Sequence, residues 1–231
     1  DIRRVLALLP VQRQNLLFSA TMPDKIVQLA NGFLTDPVRV EVNPQSTTVE
    51  QISQRVMFVA QPNKKRLLAH LLTTLECPST IVFTRTKHGA NRVVEWLEKS
   101  DILAAAIHGN KSQNARTRAL RRFKSGEISV LVATDIASRG IDVDGVSHVF
   151  NFDLPNVAES YVHRIGRTGR AGSAGEAIAF CNVDEASLLW EIEKLIGMEV
   201  PQVIEQQWHL YPALQELLVL RERGQQQAER L

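Results

Sequence analysis

Three arginines stand at i, i+3 and i+6 in His163-Arg164-Ile165-Gly166-Arg167-Thr168-Gly169-Arg170, with glycines between them. A guanidinium is a planar, permanently charged fork that matches phosphate oxygens. Glycine lets a backbone approach a ligand closely and take up positive φ. In phosphoryl transfer an arginine so placed stabilises charge on the γ-phosphate and contributes ~10³–10⁵ in rate. Taken alone, the same eight residues also read as a solvated basic turn. A second segment, Ala133-Thr134-Asp135-Ile136-Ala137-Ser138-Arg139-Gly140-Ile141-Asp142, offers hydroxyls and an arginine for phosphate, and a carboxylate able to accept from a ribose hydroxyl. Its plainer reading is a strand-to-helix turn capped by Asp135 or Ser138. A third segment carries six basic residues (Lys111, Arg116, Arg118, Arg121, Arg122, Lys124) and no acid, just after His108-Gly109-Asn110. Such a helix face suits a phosphate backbone through counterion release, although charge runs are also simply solvated surfaces.

These segments need a frame. Thr80-Ile81-Val82-Phe83, Val130-Leu131-Val132-Ala133, the run 148–152 and Ala177-Ile178-Ala179-Phe180 are short apolar stretches of the kind buried in a parallel sheet. Between and after them lie helical stripes: Ala90, Val93, Val94 and Leu97, and later Leu188, Leu189, Ile192, Leu195 and Ile196, the second stopped by Gly197 and Pro201. Alternation at this spacing implies βαβ units with right-handed crossovers in an open α/β sheet. Ligands of such sheets sit beyond the carboxyl ends of the strands, and the residue 133–142 segment directly follows one.

The ends differ from the middle. Residues 1–42 hold two strand-like runs, at 16–18 and 38–42, and a helix-like stretch at 23–34, and read as the last part of a preceding domain. Residues 43–50 are polar and read as a linker, residues 51–204 as the main domain. Residues 205–231 form an extension with a stripe of Leu210, Leu214, Leu217 and Leu218, which either packs back on the domain or offers a helix to a partner or a dimer. Trp208 and Tyr211 beside it are given no site.

Composition narrows the classes. The 231 residues are 44% hydrophobic and 23% charged with a formal net charge of +2, ordinary for one soluble core plus an appendage. Cys77 and Cys181 form no CxxC pair and no cluster with histidine, which argues against a disulfide scaffold or a zinc site and fits a reducing cytoplasm. With no apolar run of about 18 residues and no signal-peptide pattern, no membrane partner is expected.

Together the segments resemble the C-terminal half of the DEAD-box RNA helicases of superfamily 2, closest to the bacterial RhlE-like group, over roughly residues 1–200. Ser19-Ala20-Thr21 is similar to motif III of the family's first RecA-like domain, residues 81–87 to motif IV, Gln113-Asn114-Ala115-Arg116 to the QxxR element, residues 133–142 to motif V and 163–170 to motif VI. The resemblance implies a RecA-like open, mostly parallel α/β sheet with helices on both faces. It implies ATP with magnesium as cofactor, and RNA and an N-terminal RecA-like domain as partners. Arg167 and Arg170 would reach the γ-phosphate, Arg170 as the arginine finger. Asp142 would hold the ribose, and Gly140 would admit the nucleotide to the backbone. Arg85, Gly109, Gln113, Arg116 and Thr134 would contact the RNA backbone, and Ser19, Thr21, His163 and Arg164 would couple the two domains.

No GxxxxGK[ST] and no Asp-Glu-Ala-Asp sequence occurs in the chain. An arginine finger without a phosphate loop and its magnesium has no bound phosphate to act on, so this chain alone is expected to be inactive. Two rival readings predict different behaviour. A RecA-like recruitment module would not need Arg167 or Arg170, and a DNA translocase of the same superfamily would not need a 2′-hydroxyl.

Overall fold

A computed structural model describes residues 2–19, 22, 24–40, 52–138, 143, 145–169 and 174–203. The chain divides into two units, Asp1–Pro44 and Gln45–Leu231. In the first, helices α1 (Ile2–Leu6) and α2 (Asp24–Asn31) form, and Asn15 Nδ2 donates to the Phe33 carbonyl at 2.9 Å. The helix expected near 23–34 is therefore present. The two strand-like runs are not strands over their described residues, 16–18 and 38–40. Val38 and Val40 are exposed; a strand exists only through ladder bonds to a neighbour, and the described residues of this unit supply none.

The second unit is built on six strands: β1 (Ile52–Phe58), β2 (Thr80–Phe83), β3 (Ala104–Ile107), β4 (Val130–Ala133), β5 (His148–Asn151) and β6 (Gly175–Cys181). Their order is β1-β6-β5-β2-β4-β3, and every pairing is parallel. The helices are α3 (Lys64–Thr74), α4 (Lys87–Glu98), α5 (Gln113–Lys124), α6 (Asp135–Ser138), α7 (Ala158–Ile165) and α8 (Ala186–Ile196). Chain order runs in one direction along the sheet from β1 to β3 and in the other from β3 to β6. Right-handed crossovers then put α3 and α4 on one face and α5 to α8 on the opposite one.

The side chains follow this division with a period of two. Val82, Val132, Phe150 and Phe180 pack with Leu67, Leu68, Val93 and Leu97 of α3 and α4. Ile81, Leu131 and Val149 pack with Ala119 and Phe123 of α5. Ala177 and Ala179 join Tyr161, Ile165, Leu189 and Ile192 of α7 and α8. Thr86 caps α4 by accepting from Gly89 N at 3.0 Å, and Ser112 caps α5 by accepting from Ala115 N at 3.3 Å. Gly197 ends α8 at φ 71°, where the left-handed conformation suits glycine.

Two details differ from the sequence reading. The strand expected over 148–152 ends at Asn151, because Asp153 turns back to the start of the β2–α4 loop and accepts from Arg85 N at 3.0 Å. Leu195, expected on the buried stripe of α8, is 46% exposed. Among the described residues no helix is long and apolar enough to cross a membrane. The linker at 43–50 and the whole of the extension, 205–231, lie outside them.

Candidate functional site

The carboxyl ends of β3, β4, β2, β5 and β6 form one rim. Gly109 follows β3, Thr134 follows β4, Arg85 follows β2 and Asp153 follows β5. Arg85, Gly109 and Thr134 are thus brought to the same edge of the sheet. Gln113 and Arg116 lie in the first turns of α5 on that side. Arg116 Nη2 donates to the Ala137 carbonyl at 3.2 Å and Nη1 to Gln113 Oε1 at 3.4 Å. The QxxR arginine therefore bolts α5 to α6, the short helix of the 133–142 segment.

Helix α7 presents the arginine segment. His163 is exposed, while the next residue, Arg164, is 1% exposed. Arg164 Nε and Nη2 donate to the two carboxylate oxygens of Asp135 at 2.6 and 2.9 Å. Its Nη1 donates to Asn151 Oδ1 at 3.0 Å and to the Asp153 carbonyl at 2.7 Å. Its guanidinium carbon stands 5.1 Å from the centre of the Phe83 ring. A bidentate, charge-assisted pair with all these donors engaged is the geometry in which arginine is not replaceable by lysine. It ties together the ends of β4, β5 and β2.

Beyond α7 the backbone continues in tight turns: Arg167 N donates to the Arg164 carbonyl and Thr168 N to the Ile165 carbonyl. Thr168 is buried, and its hydroxyl lies 2.5 Å from the Val146 carbonyl and 3.0 Å from that of Ser147. On its other side the turn rests on the start of β6. A Cβ on Gly175 would lie 2.4 Å from Gly169 N and 2.5 Å from the Thr168 hydroxyl, so only glycine fits there. Half-buried Arg167 thus rides on a turn clamped from two sides. Neither Thr168 nor Gly175 was singled out from sequence, although the Thr-Gly pair inside the arginine segment was the available signal.

Behind the rim lies a second charged node. Lys64 is fully buried, and its Nζ donates to Glu185 Oε2 at 2.5 Å and to the Phe152 carbonyl at 2.9 Å. Glu185 also accepts from Arg85 Nη2 at 2.6 Å, and Arg85 donates to the Leu154 carbonyl at 3.1 Å. The node therefore orients Arg85. Lys64 was not singled out from sequence. At the β3 end of the rim, buried His108 bonds Asn91 Oδ1 at 2.9 Å through Nε2, while its Nδ1 has no partner among the described residues. Burial, and then the neighbouring charges of Lys111, Lys87 and His88, hold this imidazole below its usual range.

Ser19 is exposed in the first unit. Thr21, Gly140, Asp142 and Arg170 lie outside the described residues.

The pattern of the helicase conserved C-terminal domain matches residues 63–172. The Escherichia coli DEAD-box protein SrmB, in its complex with regulator of ribonuclease activity A, is 36% identical with a TM-score of 0.63, over 68% of this chain and 94% of that one. The chain belongs to the DEAD-box family. A Saccharomyces cerevisiae family member, Dbp5 bound to RNA and ADP BeF3, is 33% identical with a TM-score of 0.77, over 87% of this chain and 54% of that chain. The DEAD-box ATP-dependent RNA helicase CshA of Bacillus subtilis is 44% identical over 98% of this chain and 44% of its own length. The chain thus spans less than half the length of the curated relatives it matches. The parallel six-stranded sheet is the RecA-like fold of this DEAD-box C-terminal domain.

Proposed function

We propose that this chain is the C-terminal half of an ATP-dependent DEAD-box RNA helicase, which closes on ATP and RNA together with an N-terminal RecA-like domain. ATP, when bound, supplies the phosphoanhydride whose hydrolysis resets the closed state. The observation that carries the reading is Arg164, which ties Asp135, Asn151 and Asp153 together on the rim shared with Arg85, Gly109 and Thr134, and leads directly into the clamped turn of Arg167. A cation carried on a clamped turn is preorganised for charge that develops in transfer of the γ-phosphate. In this proposal Arg167 and Arg170 stabilise that charge, Arg170 as the finger, with Gly140 and Asp142 holding the nucleoside. Arg85, Gly109, Gln113, Arg116 and Thr134 take the RNA backbone, which positions RNA without reading its bases. His163, Ser19 and Thr21 couple the domains, and Arg164 does so indirectly, by fixing the strand ends. Closure bends and locally separates an RNA duplex.

Among the described residues no group of three or more His, Cys, Asp or Glu side chains could hold a metal ion. The arginines fit the anionic end of a nucleotide but not its magnesium, which the proposal assigns to the N-terminal domain, so the chain by itself does not turn over ATP. A placing in the RhlE-like group belongs to the same proposal, and a tree of full-length relatives that includes CshA proteins tests it.

The deciding experiment is ATPase activity, with and without RNA, of this chain fused to an N-terminal RecA-like domain. RNA-stimulated hydrolysis that falls at least about 10³-fold in Arg170→Ala supports the motor and the finger together. Hydrolysis indifferent to Arg167→Ala and Arg170→Ala, with RNA binding intact, refutes the motor reading in favour of a recruitment module. Equal stimulation by DNA refutes the choice of RNA.

A further inference from the structure

The edge strand β3 is Ala104-Ala105-Ala106-Ile107, paired with β4 on one side only among the described residues. An unpaired edge is a template for another strand, and proteins commonly blunt it with charge, proline or a bulge. The three alanines do none of these. Ile107 turns its carbonyl to β4, where Thr134 N donates to it at 3.3 Å. Strand alternation then turns the N–H and C=O groups of Ala104 and Ala106 outward.

Helices α4 and α5 stand on either side of this edge and leave a cleft of about 520 Å³ whose floor is Ala104–Ala106. Methyl groups keep that floor low. The walls differ in charge: α4 contributes Glu95 and Glu98, α5 contributes Arg118 and Arg122, and Lys111 lies just ahead of α5. Glu95, Glu98 and Arg118 are exposed, and among the described residues no ion pair crosses the cleft; Arg122 pairs instead with Glu127 at 2.5 Å. Leu103, which precedes the floor residues, is 59% exposed.

We propose that this cleft is a docking site for an extended segment of another polypeptide that adds to β3 as a further strand and carries basic and acidic residues in alternation. Outward backbone groups on the floor supply main-chain hydrogen bonds, and successive side chains of an added strand point to opposite faces. One set meets the carboxylates of α4 and the other the cations of α5. Charge decides against the other occupants. A two-fold axis pairing β3 with β3 of a second copy sets α4 against α4, so Glu95 and Glu98 meet their own counterparts. A nucleic acid strand would bring phosphates against those carboxylates.

The probe is a fluorescein-labelled octapeptide of alternating lysine and glutamate, titrated into the whole chain by anisotropy. Its control has the same composition with the four lysines first. The expected results are at least about tenfold tighter binding of the alternating peptide and slowed amide exchange at Ala104 and Ala106. Arg118→Glu, which exchanges attraction for repulsion on one wall, should weaken binding about fivefold. Glu98→Lys reads the opposite wall the same way, so one misfolded variant leaves the test intact. No saturable binding at millimolar peptide, equal affinity for both peptides, or unchanged exchange at the two amides overturns the proposal. So does displacement of the peptide by a single-stranded RNA oligonucleotide that protects the same amides.

Discussion

Removing the buried ammonium of Lys64 tests the charged node behind the rim. The group is fully buried, 2.5 Å from Glu185 Oε2 and 2.9 Å from the Phe152 carbonyl. Taking one partner from a buried ion pair typically costs about 3–5 kcal/mol, because the other charge stays buried without compensation. Here Glu185 keeps Arg85 Nη2 at 2.6 Å and Asn182 N at 3.2 Å, which places Lys64→Met near the lower end, at about 3 kcal/mol. Methionine approximates the lysine stem, so a cavity adds little. With an m-value of about 2 kcal/mol/M, the urea midpoint falls by about 1.5 M. Urea unfolding followed through Trp96 and Trp190 fluorescence measures it. Lys64→Met/Glu185→Gln removes both charges while leaving an acceptor for Arg85, and should recover at least about half of the loss. A single variant within about 0.5 kcal/mol of the parent, or a double variant no better than the single, refutes the claim that the pair is a coupled, dehydrated unit.

Thr168→Val removes the hydroxyl shared by the Val146 and Ser147 carbonyls, with an expected loss of about 1–3 kcal/mol in thermal unfolding. Gly175→Ala forces a Cβ to within 2.4 Å of Gly169 N, so the clamp must open. A loss of about 1–3 kcal/mol is expected, and in the two-domain fusion kcat should fall while RNA affinity is largely kept. Acid should destabilise the second unit through His108: its native imidazole is held below the ordinary value of 6.5, so below that value the unfolded chain binds a proton that the native one refuses. Stability is complete above the unfolded value and is lost as pH falls through it towards the native one, and His108→Gln should flatten that slope; His148, also lowered by burial, adds a loss in the same direction. Burial lifts the Cys77 thiol to about 11 and the Cys181 thiol to about 12, so at pH 8 iodoacetamide should label native Cys77 slowly and Cys181 only after unfolding.

What could be read from sequence follows the sheet. The central strands β2 and β4 are covered on both faces and stand out as continuous apolar runs, and β5 and β6 were located to within a few residues. The two strands not named among the apolar runs are β1 and β3, which stand at the two ends of the sheet order. In β1 the polar Ser53-Gln54-Arg55 interrupts the apolar pattern, although Gln54 is buried and accepts from Tyr161, and Ala104-Ala105-Ala106 has helix-forming composition. The arginine segment was legible because its chemistry is local. The partners that hold it were not: Asp135 and Arg164 are 29 residues apart in sequence, Lys64 and Glu185 are 121 apart, and a single sequence carries no mark of such meetings. Gly175 is legible as a necessity only when Thr168 is seen beneath it.

The place of β1 bears on how the domain is made on the ribosome. This strand leads the second unit, yet its sheet neighbour is β6, and Phe58 finds its partner only in Cys181, some 120 residues later. At synthesis rates of about 5–20 residues per second, that gap lasts roughly 6–25 s. Through that interval the emerging chain holds a seven-residue β-strand sequence with no ladder to join, and the sheet closes at its first edge last.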